Sequence, residues 1–221
     1  MSRALFAILL LLLIPSLSQS APAITCHCFT DRSYDPARPT LADPYFLATT
    51  QNAFFACAFG VDKKSIVFKK QQGVSSEDLW LAYALAARTG RDPEFLLQER
   101  KSKGSWRLVA VSLKLQGGGV AEAVRTGASD ERLAEQVVDE LLLRYRFYAE
   151  TELAALRKAG AGNKELILAA LLAAKSGQSR TQIYRAVKNS GDSWGGQLQR
   201  VKLNSSGQIQ GELGQMMGRL K

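Results

Sequence analysis

Residues 76–90, SEDLWLAYALAARTG, and residues 163–177, NKELILAALLAAKSG, share a pattern that predicts the fold. Each stretch opens with a polar turn that contains an acid, continues as an apolar run and stops at glycine. Acids complement the dipole in the first turn of a helix, and glycine is favoured just past its end. A helix that is apolar on every face must be surrounded by other elements. The two stretches therefore predict two buried helices at the centre of an all-α domain.

These stretches belong to a longer internal repeat. A shift of 87 residues places residues 66–73 on residues 153–160, and the match continues without a gap through both apolar runs. After one inserted residue, Asp192, the Ser-Trp pair at 105–106 meets the Ser-Trp pair at 193–194. Coincidence of glycines, Ser-Trp pairs and charges in one register indicates a duplication rather than chance.

We interpret residues 61–115 and 148–203 as two copies of one unit of short helices. The central helix of the first copy is expected over residues 76–88, with Ser76 as its N-cap. Asp92-Pro93 then marks the start of the next helix, since proline suits the first helical position. The segment after each Ser-Trp pair alternates like a strand in the first copy and has helical spacing in the second. We favour a helix there because both copies should share a fold.

Outside the copies, Asp43-Pro44 predicts the start of a helix that closes at Gly60 and packs on the first unit. Residues 129–132, Ser-Asp-Glu-Arg, open a long helix whose apolar face is expected to continue through Tyr148 to Leu156. The glycine-containing tail, residues 204–221, is predicted to be partly disordered. We expect one multi-helix domain over residues 24–221.

Residues 1–23 have the features of a signal peptide. Arg3 supplies the positive start, Ala4 to Ile14 form an apolar run of 11 residues, and small residues follow. A membrane-spanning helix needs roughly 20 apolar residues, so this run is too short. We predict cleavage near Ala21-Pro22-Ala23, a periplasmic or secreted mature protein, and no membrane span after cleavage.

Cysteine usage fits an exported chain. The three cysteines are Cys26, Cys28 and Cys57, and the only histidine is His27. Because export permits disulfides, we predict that Cys57 pairs with Cys26 or Cys28. The alternative is a thiol or metal site formed by these three cysteines and His27. Cys-His-Cys is not a standard zinc spacing, although two nearby thiolates suit Cu(I), and we predict no cofactor.

The net charge of +9 falls to +8 without Arg3, and residues 61–120 and 150–221 carry net charges of +5 and +6. A basic surface attracts anionic partners such as acidic glycans or lipid headgroups. Each tryptophan of the repeat has cations near it, and together they suggest two equivalent binding surfaces. The candidate binding residues are Lys101, Trp106 and Arg107 in the first copy, and Arg185, Lys188 and Trp194 in the second.

Catalytic signatures are scarce in this sequence. There is no H-E-x-x-H, no G-x-S-x-G and no P-loop, and a single histidine beside cysteines argues against a Ser-His-Asp triad. Candidate carboxylates for glycoside hydrolysis stand at helix starts or on solvated faces. They are Glu77, Asp78, Glu94, Glu99, Asp139 and Glu140. We therefore predict no enzyme activity.

The Thr-Gly stop at 89–90, the helix after it and the turns Gly104-Ser105-Trp106 and Gly191-Asp192-Ser193-Trp194 resemble a pattern in uncharacterised exported bacterial proteins. There, "TG…LL..R..G.GWG" runs between short helices. Arg107 departs from the glycine usual at its position, whereas Gly195 keeps it. The resemblance covers the two units and implies an exported helical protein without transferable site residues.

The helix–glycine–helix spacing also looks like a helix-turn-helix, but a signal peptide argues against gene regulation, and we predict no nucleic-acid partner. Duplication without catalytic residues favours an exported, non-enzymatic protein that binds another macromolecule, either a protein partner or an anionic envelope polymer. The alternatives are a basic module for anionic glycan or lipid, and a thiol or metal-binding protein.

Overall fold

The computed structural model describes residues 29–115 and 117–218, which form twelve α-helices and no strand. The predicted all-α fold is therefore confirmed. The helices are Asp43–Phe59 (α1), Lys63–Gln71 (α2), Ser76–Thr89 (α3), Pro93–Lys103 (α4), Trp106–Ser112 (α5), Val120–Arg125 (α6), Asp130–Arg144 (α7), Glu150–Lys158 (α8), Asn163–Ser176 (α9), Arg180–Asn189 (α10), Trp194–Arg200 (α11) and Ser206–Gly218 (α12).

The two sequence copies have the same succession of helices. Helices α2, α3 and α4 start 87 residues before α8, α9 and α10, and α5 starts 88 residues before α11. The backbone after the fourth helix of each copy also matches, since Lys114 and Lys202 both have positive φ, 51° and 59°. The segment after each Ser-Trp pair, ambiguous in sequence, is helical in both copies.

The central helices form the core as the apolar runs predict. In α9, all seven residues from Leu166 to Leu172 are buried, and in α3 the buried run is Leu79–Ala82 together with Leu85. Helix α7 packs along α3, and α1 packs along α9. Helix α1 contacts the first unit as expected, through α2 and through the rings of Phe55 and Trp80, which are 4.6 Å apart. It also packs on α9, α11 and α12 from the other end of the chain.

Two local expectations are wrong, and the tail is helical over most of its length. Ser75, not Ser76, caps α3, with its hydroxyl accepting from the N–H of Asp78 at 2.9 Å. The long helix opened at Ser129 ends at Arg144, because Arg146 has a φ of 53° and turns the chain. The tail is not disordered over residues 206–218, where α12 packs on α1 through Ile209, Leu213 and Met217. Their helical spacing gives α12 a buried apolar stripe despite its glycines.

A buried carboxylate joins α1 to the second unit. Asp43, only 9% exposed, accepts hydrogen bonds from the backbone N–H groups of Trp194 at 3.1 Å and Gly195 at 2.8 Å. Its burial raises the pKa of the carboxyl, although these two hydrogen bonds oppose the shift. The equivalent residue at the start of α7, Asp130, instead pairs with Arg100 at 2.7 Å and is partly exposed.

We expect Asp43→Ala to lower the free energy of unfolding by about 2 kcal/mol, because it leaves buried N–H groups without an acceptor. Asp130→Ala is the matched control and should cost about 1 kcal/mol or less, as partly exposed ion pairs do. Urea unfolding followed by circular dichroism measures both. Equal losses in the two variants would show that the Asp43 contact has no special importance.

Candidate basic binding cleft

The two repeat tryptophans do not form binding surfaces. Trp106 is 0% exposed, and its ring N–H donates to Asp78 at 2.7 Å. Trp194 is 3% exposed. A ring can stack on a sugar or a base only if its face is accessible, so burial removes both from the candidate binding residues. Each instead fills the core at the start of its own helix, α5 or α11.

Three of the predicted cationic residues lie at two equivalent clefts. One, of about 390 Å³, lies between α8 and α10 and is lined by Arg185 and Lys188. The other, of about 240 Å³, lies between α2 and α4 and is lined by Lys101, the repeat counterpart of Lys188. Arg107 lies apart, exposed on α5, with its guanidinium beside Gly127.

The smaller cleft is occupied by the protein's own charges. An ion pair between Lys69 and Glu94 lies in it, whereas Leu156 and Thr181 hold those positions in the larger one. In the larger cleft Lys188 is engaged too, because Glu165 approaches it at 2.6 Å and raises its pKa. Arg185 is also exposed and forms no ion pair among the described residues. Neither cleft therefore collects several cations without an ion pair.

A third cleft, of about 780 Å³, gathers four cations that the sequence analysis did not bring together. It is lined by Thr89, Ser112, Leu113 and Leu115, together with the cations Arg88, Arg91, Lys114 and Arg144. We call it the basic cleft. The ends of α3, α5 and α7 meet there, so residues far apart in sequence become neighbours.

Positive charge is in excess at the basic cleft. Arg88 forms an ion pair with Glu140, which also accepts from the N–H of Val120 at 3.0 Å. None of the residues that line the cleft is acidic. Arg91, Lys114 and Arg144 are exposed and form no ion pair within residues 29–115 and 117–218. Such a concentration of one charge sign in a cleft raises the local concentration of anions.

Helix ends account for only part of this charge. Arg88 and Arg144 lie in the last turns of α3 and α7, where a cation offsets the helix dipole. Arg91 lies between helices, and its guanidinium is 6.0 Å from the centre of the Phe95 ring. In the second unit glutamine stands at the position of Arg91, at residue 178. The fold therefore forms without a cation there.

The thiol and metal alternative has no support from the part of the chain that the structure describes. Cys26, His27 and Cys28 lie outside the described residues, and within them no group of His, Cys, Asp and Glu is arranged to hold a metal. Cys57 is half-buried on α1, 3.9 Å from the backbone oxygen of Gln210. Burial raises the pKa of its thiol.

Five of the six carboxylates considered for catalysis, all but Glu77, are held by neighbouring groups. Asp139 pairs with Arg157 at 2.6 Å, Glu99 with Lys103 at 3.0 Å, and Asp78 accepts from Trp106. Glu94 and Glu140 form the ion pairs with Lys69 and Arg88 described above. Each of these contacts joins two helices except the Glu99–Lys103 pair, which lies within α4.

No protein-family model, curated protein or solved structure matches this chain. The resemblance to exported bacterial proteins therefore stays a prediction. None of the helices in residues 29–115 and 117–218 combines the length and apolar character needed to cross a bilayer.

The disulfide prediction can be tested directly. We expect the intact mass of the protein, purified without reductant from the exported fraction, to be two hydrogens below that of the reduced mature chain. Such a bridge closes a loop of about 30 residues and stabilises by about 3 kcal/mol in the chain-entropy model. Cys57→Ser should remove it, whereas detection of three free thiols in the wild type after denaturation would contradict it.

Proposed function

We propose that this protein is an exported, non-enzymatic binding protein that holds anionic groups of an envelope component in the basic cleft. The observation that carries the proposal is the meeting of Arg88, Arg91, Lys114 and Arg144 in one cleft without an acidic lining residue. Its signal peptide, a prediction from residues 1–23, would place it among acidic glycans and lipid headgroups.

The chemistry of the cleft suits phosphate or carboxylate. Arginine presents a planar fork of N–H donors that matches both groups, and three of the four cations are arginines. A volume of about 780 Å³ accommodates a charged group together with part of the molecule that bears it. Ser112 and Thr89 add polar groups at the wall.

The cleft favours an anionic component over a protein partner as the ligand. No comparable observation supports the protein partner that the sequence analysis left open. The two halves also differ in charge at this place, because Gln178 stands at the repeat position of Arg91.

The proposal predicts how charge removal changes binding. Replacing Arg91, Lys114 and Arg144 by alanine should weaken binding of labelled inorganic polyphosphate by about 100-fold, since each cation near an anionic surface contributes about 1 kcal/mol. Fluorescence anisotropy at low ionic strength measures this binding. Wild-type affinity should fall steeply as salt is added.

A matched control separates the basic cleft from net charge. Lys64, Lys158 and Lys164 are exposed, lie outside the basic cleft and, replaced together by alanine, remove the same charge. This variant should keep most of the affinity. If both triple variants lose affinity equally, attraction is a property of the whole surface and the proposed site is wrong. Thermal unfolding of both variants checks that they remain folded.

A further inference from the structure

The solvent-exposed face of α5 carries apolar side chains, although such faces are ordinarily polar. Leu108 is 53% exposed and Val111 is 63% exposed, one helical turn apart. Arg107 is exposed beside them. Exposed aliphatic side chains are common singly, but a pair next to cations on one short helix is a feature to explain.

The repeat counterpart of this face, on α11, is covered. Gly195 and Gly196 replace Arg107 and Leu108, and both are buried. A Cβ atom on Gly195 would lie 3.1 Å from the rings of Phe46 and Tyr34, so the N-terminal segment lies directly on this face. The counterpart of Val111 is Gln199, which is exposed and polar. The apolar pair is therefore particular to the first unit.

The apolar pair adjoins the basic cleft. Val111 is followed directly by Ser112 and Leu113, which line that cleft with Lys114. One continuous stretch of chain thus presents two aliphatic side chains and then a cation of the cleft, Lys114. Amphipathic surfaces that bind in the plane of a bilayer combine these two features, with apolar groups at the acyl boundary and cations at the phosphates.

We propose that this face binds an anionic lipid surface, with Leu108 and Val111 inserted among the lipids and the basic cleft holding the headgroup phosphates. The inference rests on the proposed function, because it names the source of the anionic groups that the cleft holds. Arg107 and Lys114 lie on either side of the apolar pair in sequence and extend the cationic border. The protein would lie on the membrane without crossing it.

Charge argues for lipid rather than a second copy of this chain. A two-fold dimer through the face would bring the same patch of each copy together and set the unpaired cations of both basic clefts near one another. Two aliphatic side chains are also a small area for a stable protein interface, which buries about 800 Å² from each partner. An anionic bilayer would attract these cations rather than repel them, and its deformable surface can accept two aliphatic side chains without a large interface.

The test uses the full mature chain and vesicles of phosphatidylcholine with or without phosphatidylglycerol. Wild-type protein should sediment with vesicles that contain phosphatidylglycerol and not with phosphatidylcholine alone. Leu108→Ser combined with Val111→Ser should reduce vesicle binding by about ten-fold or more, while polyphosphate binding stays within about two-fold of wild type. Phe68→Ser, which removes another side chain that is 59% exposed, is the control and should change neither.

The outcomes separate the two proposals. If the double variant binds phosphatidylglycerol vesicles as well as wild type does, the lipid inference is overturned, and retained polyphosphate binding would leave the proposed function standing. If wild type binds neither vesicles nor polyphosphate, both proposals fail. Conversion of a wild-type dimer to a monomer by the double variant, seen by light scattering, would assign the face to a second copy and would also overturn the lipid inference.

Discussion

Two helices without a polar face impose the main constraint on this molecule. Seven consecutive residues of α9, Leu166 to Leu172, are buried, so the helix needs neighbours in every direction. Helix α3 has the same requirement in its own half. The long helices α7 and α1 meet it, one for each half.

Much of the helical framework could be predicted from local sequence, because helix starts and stops depend on a few residues. Asp92 caps α4 ahead of Pro93, and Gly90 and Gly177 end the central helices in left-handed conformation. The end of α7 could not be predicted, since apolar residues continue at helical spacing beyond it. There Phe147 lies in the core, with its ring 5.8 Å from that of Phe54 in α1. The two residues are far apart in sequence, so local sequence does not predict this contact.

The candidate site was less accessible to sequence reasoning. A tryptophan near cations in the sequence can have its ring either in solvent or in the core, and the local sequence is the same in both cases. Here both rings are buried. The basic cleft combines residues 88, 91, 114 and 144, which only the meeting of three helix ends makes neighbours. One signal was present in the sequence. Glycine at 195 and arginine at 107 occupy equivalent positions, and a side chain at 195 would crowd the rings of Phe46 and Tyr34.

The placement of α1 has a consequence for how the chain reaches its folded state. Synthesis proceeds from the N-terminus, so α1 is made before its partners α9, α11 and α12. Helices α2 to α7 form a contiguous stretch that can pack as soon as it is complete. The second half is incomplete until α1, from the other end of the chain, packs on α9. Such long-range pairing slows folding and leaves an apolar helix uncovered in the meantime. Phe46, which is buried in the finished molecule and lies against Gly195 of α11, is therefore a side chain that a chaperone would meet on the growing chain.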